Sequence, residues 1–134
     1  MLSKPILMRK IIQTDKAPAP VGPYNQAIAF GHTLYVSGQI AIDPATGELV
    51  TGDIEAETRQ VLTNIGAILE AAGVGFGEVL KCTVFVKDMH QYGRINAVYA
   101  TFFDEETAPA RELVEVANLP KFVHVEISVI AALP

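Results

Sequence analysis

The chain has 134 residues, half of them hydrophobic and 19% charged, which suits one globular domain with a single core. Ten basic against fifteen acidic residues leave a net charge of −5 with no basic cluster, which disfavours a nucleic-acid surface. No apolar run approaches the roughly 20 residues of a membrane span, and the single Cys82 excludes an internal disulfide, a CxxC pair and a thiolate-rich zinc site.

The expectation is a protein of a reducing, cytoplasmic compartment, outside the membrane. No repeat or linker-like shift divides the chain, so residues 1–134 read as one domain, with 1–8 a flexible N-terminal extension. MLSKPILMRK lacks the apolar stretch of a signal peptide. Ile11-Ile12 reads as a short edge strand. In APAPVGPYNQ (Ala17 to Gln26), Pro18, Pro20 and Pro23 fix φ and stiffen the loop. Such a loop holds Tyr24 in a defined place, as a pocket lid or as a packing anchor.

Gln26 to Phe30 and Thr33 to Ser37 flank Gly31-His32 as hairpin arms. In the second arm Leu34 and Val36 point one way, and Thr33, Tyr35 and Ser37 the other. From Asp53, an N-cap followed by Glu55 and Glu57, apolar residues recur at helical spacing through Ile54, Val61, Leu62, Ile65, Ile68, Leu69 and Ala72. This predicts a helix of about five turns, stopped by Gly73.

Val79 to Val86 alternates as a strand. A second helix is expected from about His90, with Tyr92, Ile95, Val98, Tyr99, Phe102 and Phe103 at helical spacing and Pro109 as its far limit. Arg111 to Val116 and Val123 to Ala131 alternate as two more strands, read as a hairpin across Ala117 to Pro120. The order β-β-β-α-β-α-β-β implies an α+β fold, a six-stranded mixed sheet with both helices on one face.

If Val114 and Val116 face the helices, Arg111, Leu113 and Glu115 face away, and Glu126 and Ser128 join them on the uncovered face with Ser37. Phe85 and Tyr35 make that face too apolar for water, so a partner subunit is expected to cover it. An arginine and a carboxylate on one partly apolar face suit a small anionic substrate: Arg111 grips a carboxylate in a fork and Glu126 orients or deprotonates a water. The same two residues also fit an ordinary cross-strand ion pair.

Ser37-Gly38 ends a strand where glycine permits close backbone approach, but no GxSxG elbow supports a serine nucleophile. His32, His90 and His124 lack metal-ligand spacing, and only His124 shares the parity of Glu126. Cys82 reads as an inert buried thiol. Gly73, Gly75 and Gly77 follow a helix and lack a GK[ST] end, so they are a helix exit and not a phosphate loop.

Five blocks in order, APAPVGPYNQAI, LYVSGQI, KCTVFVKDM, INAVYATFF and PARELVEVANLPKFVHVEISVIA, closely resemble the RidA (YjgF) family of reactive-intermediate deaminases, from about Ile11 to Ala131. The resemblance implies a chorismate-mutase-like fold, a homotrimer whose sheets form a barrel, and active sites at subunit interfaces. It implies hydrolysis of small 2-imino acids such as 2-iminobutanoate and 2-iminopropanoate, released by pyridoxal-phosphate enzymes, to 2-keto acids and ammonia, with no cofactor and no metal. By motif, Arg111 would bind the substrate carboxylate and Glu126 would position the attacking water. Ser37 and Gly38 would contact the substrate, Tyr24 would close the site, and Asn96 would orient the arginine or line the pocket.

Leu113 stands where many members carry a cysteine, which would make the pocket more apolar and bulkier. Ser128 stands where many carry an acidic residue. The rival expectations are a non-catalytic ligand-binding or regulatory module of the same fold, and a translation inhibitor with ribonuclease activity. The acidic balance argues against the latter.

Overall fold

The computed structural model describes residues 6–134. Its strands are β1 (Ile6–Ile12), β2 (Ala27–Gly31), β3 (Thr33–Gln39), β4 (Val79–Val86), β5 (Ala110–Glu115) and β6 (Val125–Ala132). They form one mixed sheet in the order β1-β2-β3-β6-β4-β5, antiparallel throughout except for the parallel pair β4 and β5. Helices α1 (Ile54–Ala71) and α2 (Tyr92–Tyr99) lie on one face of it, as the α+β reading expected.

The helix α1 begins where its cap dictates. Asp53 is extended, and its side chain accepts hydrogen bonds from the Glu55 and Ala56 amides. Val61, Leu62, Ile65, Ile68 and Leu69 are fully buried against the sheet, each stabilising by about 1.5–3 kcal/mol. The helix stops before Gly73, which takes a left-handed φ of 81° that a side chain resists.

Four expectations are corrected. Strand β1 starts at Ile6 and not at Ile11, so Ile6–Met8 of the expected extension belong to a strand, with Ile6 opposite Gly31, while residues 1–5 lie outside the described residues. Helix α2 ends at Tyr99. Phe102 and Phe103 sit in the turn beyond it and clasp the Phe76 ring edge-on, each with centroids 5.3 Å away. Strands β5 and β6 form no hairpin, because β6 inserts between β3 and β4 and leaves β5 paired with β4 alone.

The fourth correction concerns which way β5 faces. Arg111 and Leu113 lie beside Cys82 and Val84, whose side chains are buried on the helix side, so both point toward the helices. Val114 is the exposed residue, at 45%. Alternation alone favoured the valines as the buried set. At this edge α2 provides polar partners for an inward arginine, and Leu113 packs against the core instead.

Candidate active site

Glu126 pairs with Phe85 and Ser128 with Thr83, which puts both on the face the helices leave open. Beside them β3 carries a bulge: Val36 opposes Val129 and Gln39 opposes Ile127, so one extra residue is accommodated across Ser37-Gly38. A Cβ on Gly38 would sit 2.8 Å from Glu126 Oε2 and 2.9 Å from its carboxyl carbon. Glycine is needed here for close approach, as the sequence suggested.

Burial pushes the Glu126 carboxyl above its ordinary value. Among the described residues no protein donor reaches its oxygens. The carboxylate lines a recess of about 100 Å³ with Tyr24, Gly38, Gln39, Ile40, Pro120 and Lys121 among its walls.

The wall that carries Tyr24 is tied down by a residue the sequence reading passed over. Gln26 is buried, and its Oε1 accepts the Thr14 amide at 2.7 Å while its Nε2 donates to the carbonyls of Thr14, Ala17 and Pro18. Tyr24 is half-exposed, and its hydroxyl accepts from the Val21 amide at 3.4 Å. The Ser37 hydroxyl donates to the Asn25 carbonyl at 2.6 Å, fastening the loop to β3. That proton is engaged, so toward a ligand Ser37 offers lone pairs.

Arg111 occupies a different recess, about 470 Å³, lined by Asn96, Tyr99, Phe103, Glu105, Pro109 and neighbours. Its Nη1 donates to Asn96 Oδ1 at 2.7 Å and its Nη2 to Tyr92 Oη at 2.9 Å. The guanidinium carbon lies 4.8 Å from the centre of the Tyr99 ring, a cation–π stack. Beneath it burial raises the Cys82 thiol and the Tyr99 phenol above their ordinary values, so both stay protonated near neutrality. Cys82 is fully buried, as expected.

The two recesses share no lining residue. The expected common face for Arg111 and Glu126 is therefore corrected: within one chain they lie on opposite faces of the sheet, and neither the small-ligand fork nor a cross-strand ion pair joins them. The structure groups Tyr24, Gly38 and Glu126 in one recess and Asn96 and Arg111 in the other. Leu113 lines neither.

Two more polar residues do more than the sequence indicated: Glu57, expected only to complement the helix dipole, and Asn64. Glu57 is 1% exposed, and its carboxylate accepts the His124 amide, the Val125 amide and the His124 ring nitrogen Nδ1. Asn64, fully buried on α1, donates to the carbonyls of Ile40 and Ile42 and so holds the chain that leaves β3. Both lie on the buried stripe of α1, where a polar residue at an apolar position was the available signal.

The family model for endoribonuclease L-PSP matches residues 14–133. The chain belongs to the endoribonuclease L-PSP, or RidA, family. A RutC family protein from Synechocystis is 57% identical to this family member over 126 residues, covering 93% of this chain and 97% of that one. The 2-iminobutanoate/2-iminopropanoate deaminase of Escherichia coli is 50% identical, covering 92% and 98%. Among solved structures, E. coli TdcF with bound serine superimposes with a TM-score of 0.88 at 44% identity, over 93% of this chain and 99% of that one. Among the described residues of this RidA-family chain no helix is long and apolar enough to cross a membrane, and no three His, Cys, Asp or Glu side chains group to hold a metal ion.

Proposed function

We propose that this chain is a 2-imino acid hydrolase of the 2-iminobutanoate/2-iminopropanoate deaminase type, working as a homotrimer in the cytoplasm. The observation that carries the reading is the pair of half-sites: a pinned arginine in one recess, and a carboxylate raised by burial, with no donor among the described residues, in the other. Relatives at about half identity bear that activity's name.

Because the halves lie on opposite faces of one sheet, a complete site takes Arg111 and Asn96 from one copy and Tyr24, Gly38 and Glu126 from its neighbour. The half-exposed Tyr35, Phe30 and Val114 on the open face supply apolar surface for that contact.

Arg111 forks the substrate carboxylate with the N–H groups its partners leave free. The protonated imine carbon is already electrophilic, so orientation and proton transfer suffice. Glu126 accepts a proton from water as its oxygen bonds to that carbon. The tetrahedral adduct then takes that proton onto nitrogen, and its C–N bond breaks as Glu126 removes the hydroxyl proton, which leaves a 2-keto acid and ammonia, the last proton passing from Glu126 to the ammonia. Water is the only co-reactant. A carboxyl whose pKa is raised toward neutrality suits both halves of this transfer.

The test generates 2-iminobutanoate with a threonine dehydratase in the presence of semicarbazide, which traps free imine, and follows keto-acid release. The wild-type protein restores release. Arg111→Ala, still assembled, cuts that rescue by about a hundredfold, as expected when one side of a desolvated charge pair is truncated. Failure of the assembled wild type across several imino acids would favour the ligand-binding module. The family's ribonuclease description makes RNA the other reading, which the net charge of −5 weighs against.

A further inference from the structure

We infer that Tyr92 is a positioning residue for substrate binding, fixing the plane of the Arg111 guanidinium through its hydroxyl; this rests on the reading of Arg111 as the carboxylate anchor. Tyr92, Asn96 and Tyr99 recur at helical spacing along α2, so one stripe of a two-turn helix faces the arginine. Asn96 Oδ1 holds Nη1, Tyr92 Oη holds Nη2, and the Tyr99 ring forms the floor at 4.8 Å.

Asn96 alone leaves the guanidinium free to swing about its side-chain torsions. A second contact on the other terminal nitrogen removes that freedom. Of the five N–H groups on an arginine two are then engaged, and three remain, with one on each of Nη1, Nη2 and Nε. Those three supply the parallel pair a carboxylate needs, already oriented before the substrate arrives. Pre-ordering of this kind acts on binding, because the anchor is gripped equally in the ground and transition states.

Tyr92 is 36% exposed and reaches the arginine from outside the residues that line the recess. Its loss therefore leaves no cavity in the core, and phenylalanine keeps the ring while removing only the acceptor oxygen.

The experiment uses the assembled full chain as wild type, Tyr92→Phe, Arg111→Lys and the double variant. Calorimetry gives the Kd for 2-oxobutanoate, a stable carboxylate, and the dehydratase-coupled assay gives KM and kcat for 2-iminobutanoate. Thermal melting confirms that each variant is folded. Tyr92→Phe is expected to raise both Kd and KM about tenfold, the worth of one hydrogen bond to a charged group, with kcat moving far less. In the Arg111→Lys background, which has no second terminal nitrogen to hold, the same change is expected to add nothing.

Unchanged Kd and KM in Tyr92→Phe would overturn the inference. So would an equal loss in both backgrounds, which would mark a role in pocket shape alone. If the wild type binds 2-oxobutanoate but does not turn over the imine, the hydrolase reading falls while the Kd values still decide the role of Tyr92. If the wild type binds no 2-oxobutanoate, the anchor and its positioning residue fall together.

Discussion

Glu57 and Glu126 approach strand β6 from opposite sides, one from α1 beneath the sheet and one on the open face, and both carboxylates are withdrawn from water. Glu57 is the more deeply buried, at 1% exposure, yet three N–H groups from His124 and Val125 meet its two oxygens. Glu126 is less buried but meets no donor among the described residues, and its carboxyl rises above the ordinary range. A carboxylate satisfied by fixed donors is a structural tie. One desolvated without them is left ready to take a proton, which is what general acid–base chemistry requires. Burial is common to both residues, so the hydrogen-bond count is what separates the structural tie from the proposed proton acceptor.

The comparison is broken most sharply at Glu126. Glu126→Gln keeps shape and burial but removes the proton acceptor, and its rate of keto-acid release should fall by roughly 10²–10⁴-fold. Its stability at neutral pH should match or exceed that of the wild type. The sign follows from the raised carboxyl: the folded chain holds that proton more tightly than the unfolded chain. Its stabilising contribution is thus present below the ordinary value of 4.5 and is lost as pH rises through the folded value. Urea titrations of the two proteins from pH 4 upward (roughly spanning that window) should show the wild type losing ground to the variant. A wild type that gains with rising pH would refute the assignment.

At Glu57 the expected loss is in stability. Glu57→Ala strands two backbone amides and releases a ring nitrogen whose side chain, 44% exposed, can turn to water, a cost of about 3 kcal/mol at 1–3 kcal/mol per stranded amide. Glu57→Gln keeps one acceptor oxygen for both amides and offers an N–H to the other tautomer of His124, so it should cost under about 1 kcal/mol. Denaturant midpoints distinguish the two. A milder loss of turnover than at Glu126 is expected from Gly38→Ala. The added methyl meets the movable end of Glu126, 2.8 Å away, so the fold yields cheaply while the carboxylate swings aside. Turnover should fall roughly tenfold to a hundredfold, with a melting temperature close to that of the wild type.

Sequence made some of this legible and hid the rest for identifiable reasons. The Asp53 cap, the 3.6-residue rhythm of α1, the Gly31-His32 hairpin and the alternation of β4 are local signals, and each element appears where those signals put it. Partnership between distant strands is not local. The insertion of β6 between β3 and β4 abolished the expected β5–β6 hairpin, and at the edge of the sheet β5 turned its arginine inward because α2 had acceptors waiting. Arg111, Asn96, Glu126, Gly38 and Tyr24 were all named from the sequence. Their division between two faces was not foreseen, since parity arguments assume that valines outcompete an arginine for the covered side. The role of Gln26 went unread, and Glu57 was read only as a first-turn acid, because a buried polar side chain looks, in sequence, like any surface one.

The clamp around Gln26 bears on how a ligand could reach Glu126. Prolines gave the loop its stiffness in sequence, but in the folded chain its shape is held by a side chain that immediately precedes β2, so the loop opens only if that edge of the sheet opens with it. Tyr24 then rides on a fixed backbone, while its own half-exposed ring is held by the single 3.4 Å bond from the Val21 amide. A ligand reaching this recess would meet a wall whose backbone is held in place from inside the fold.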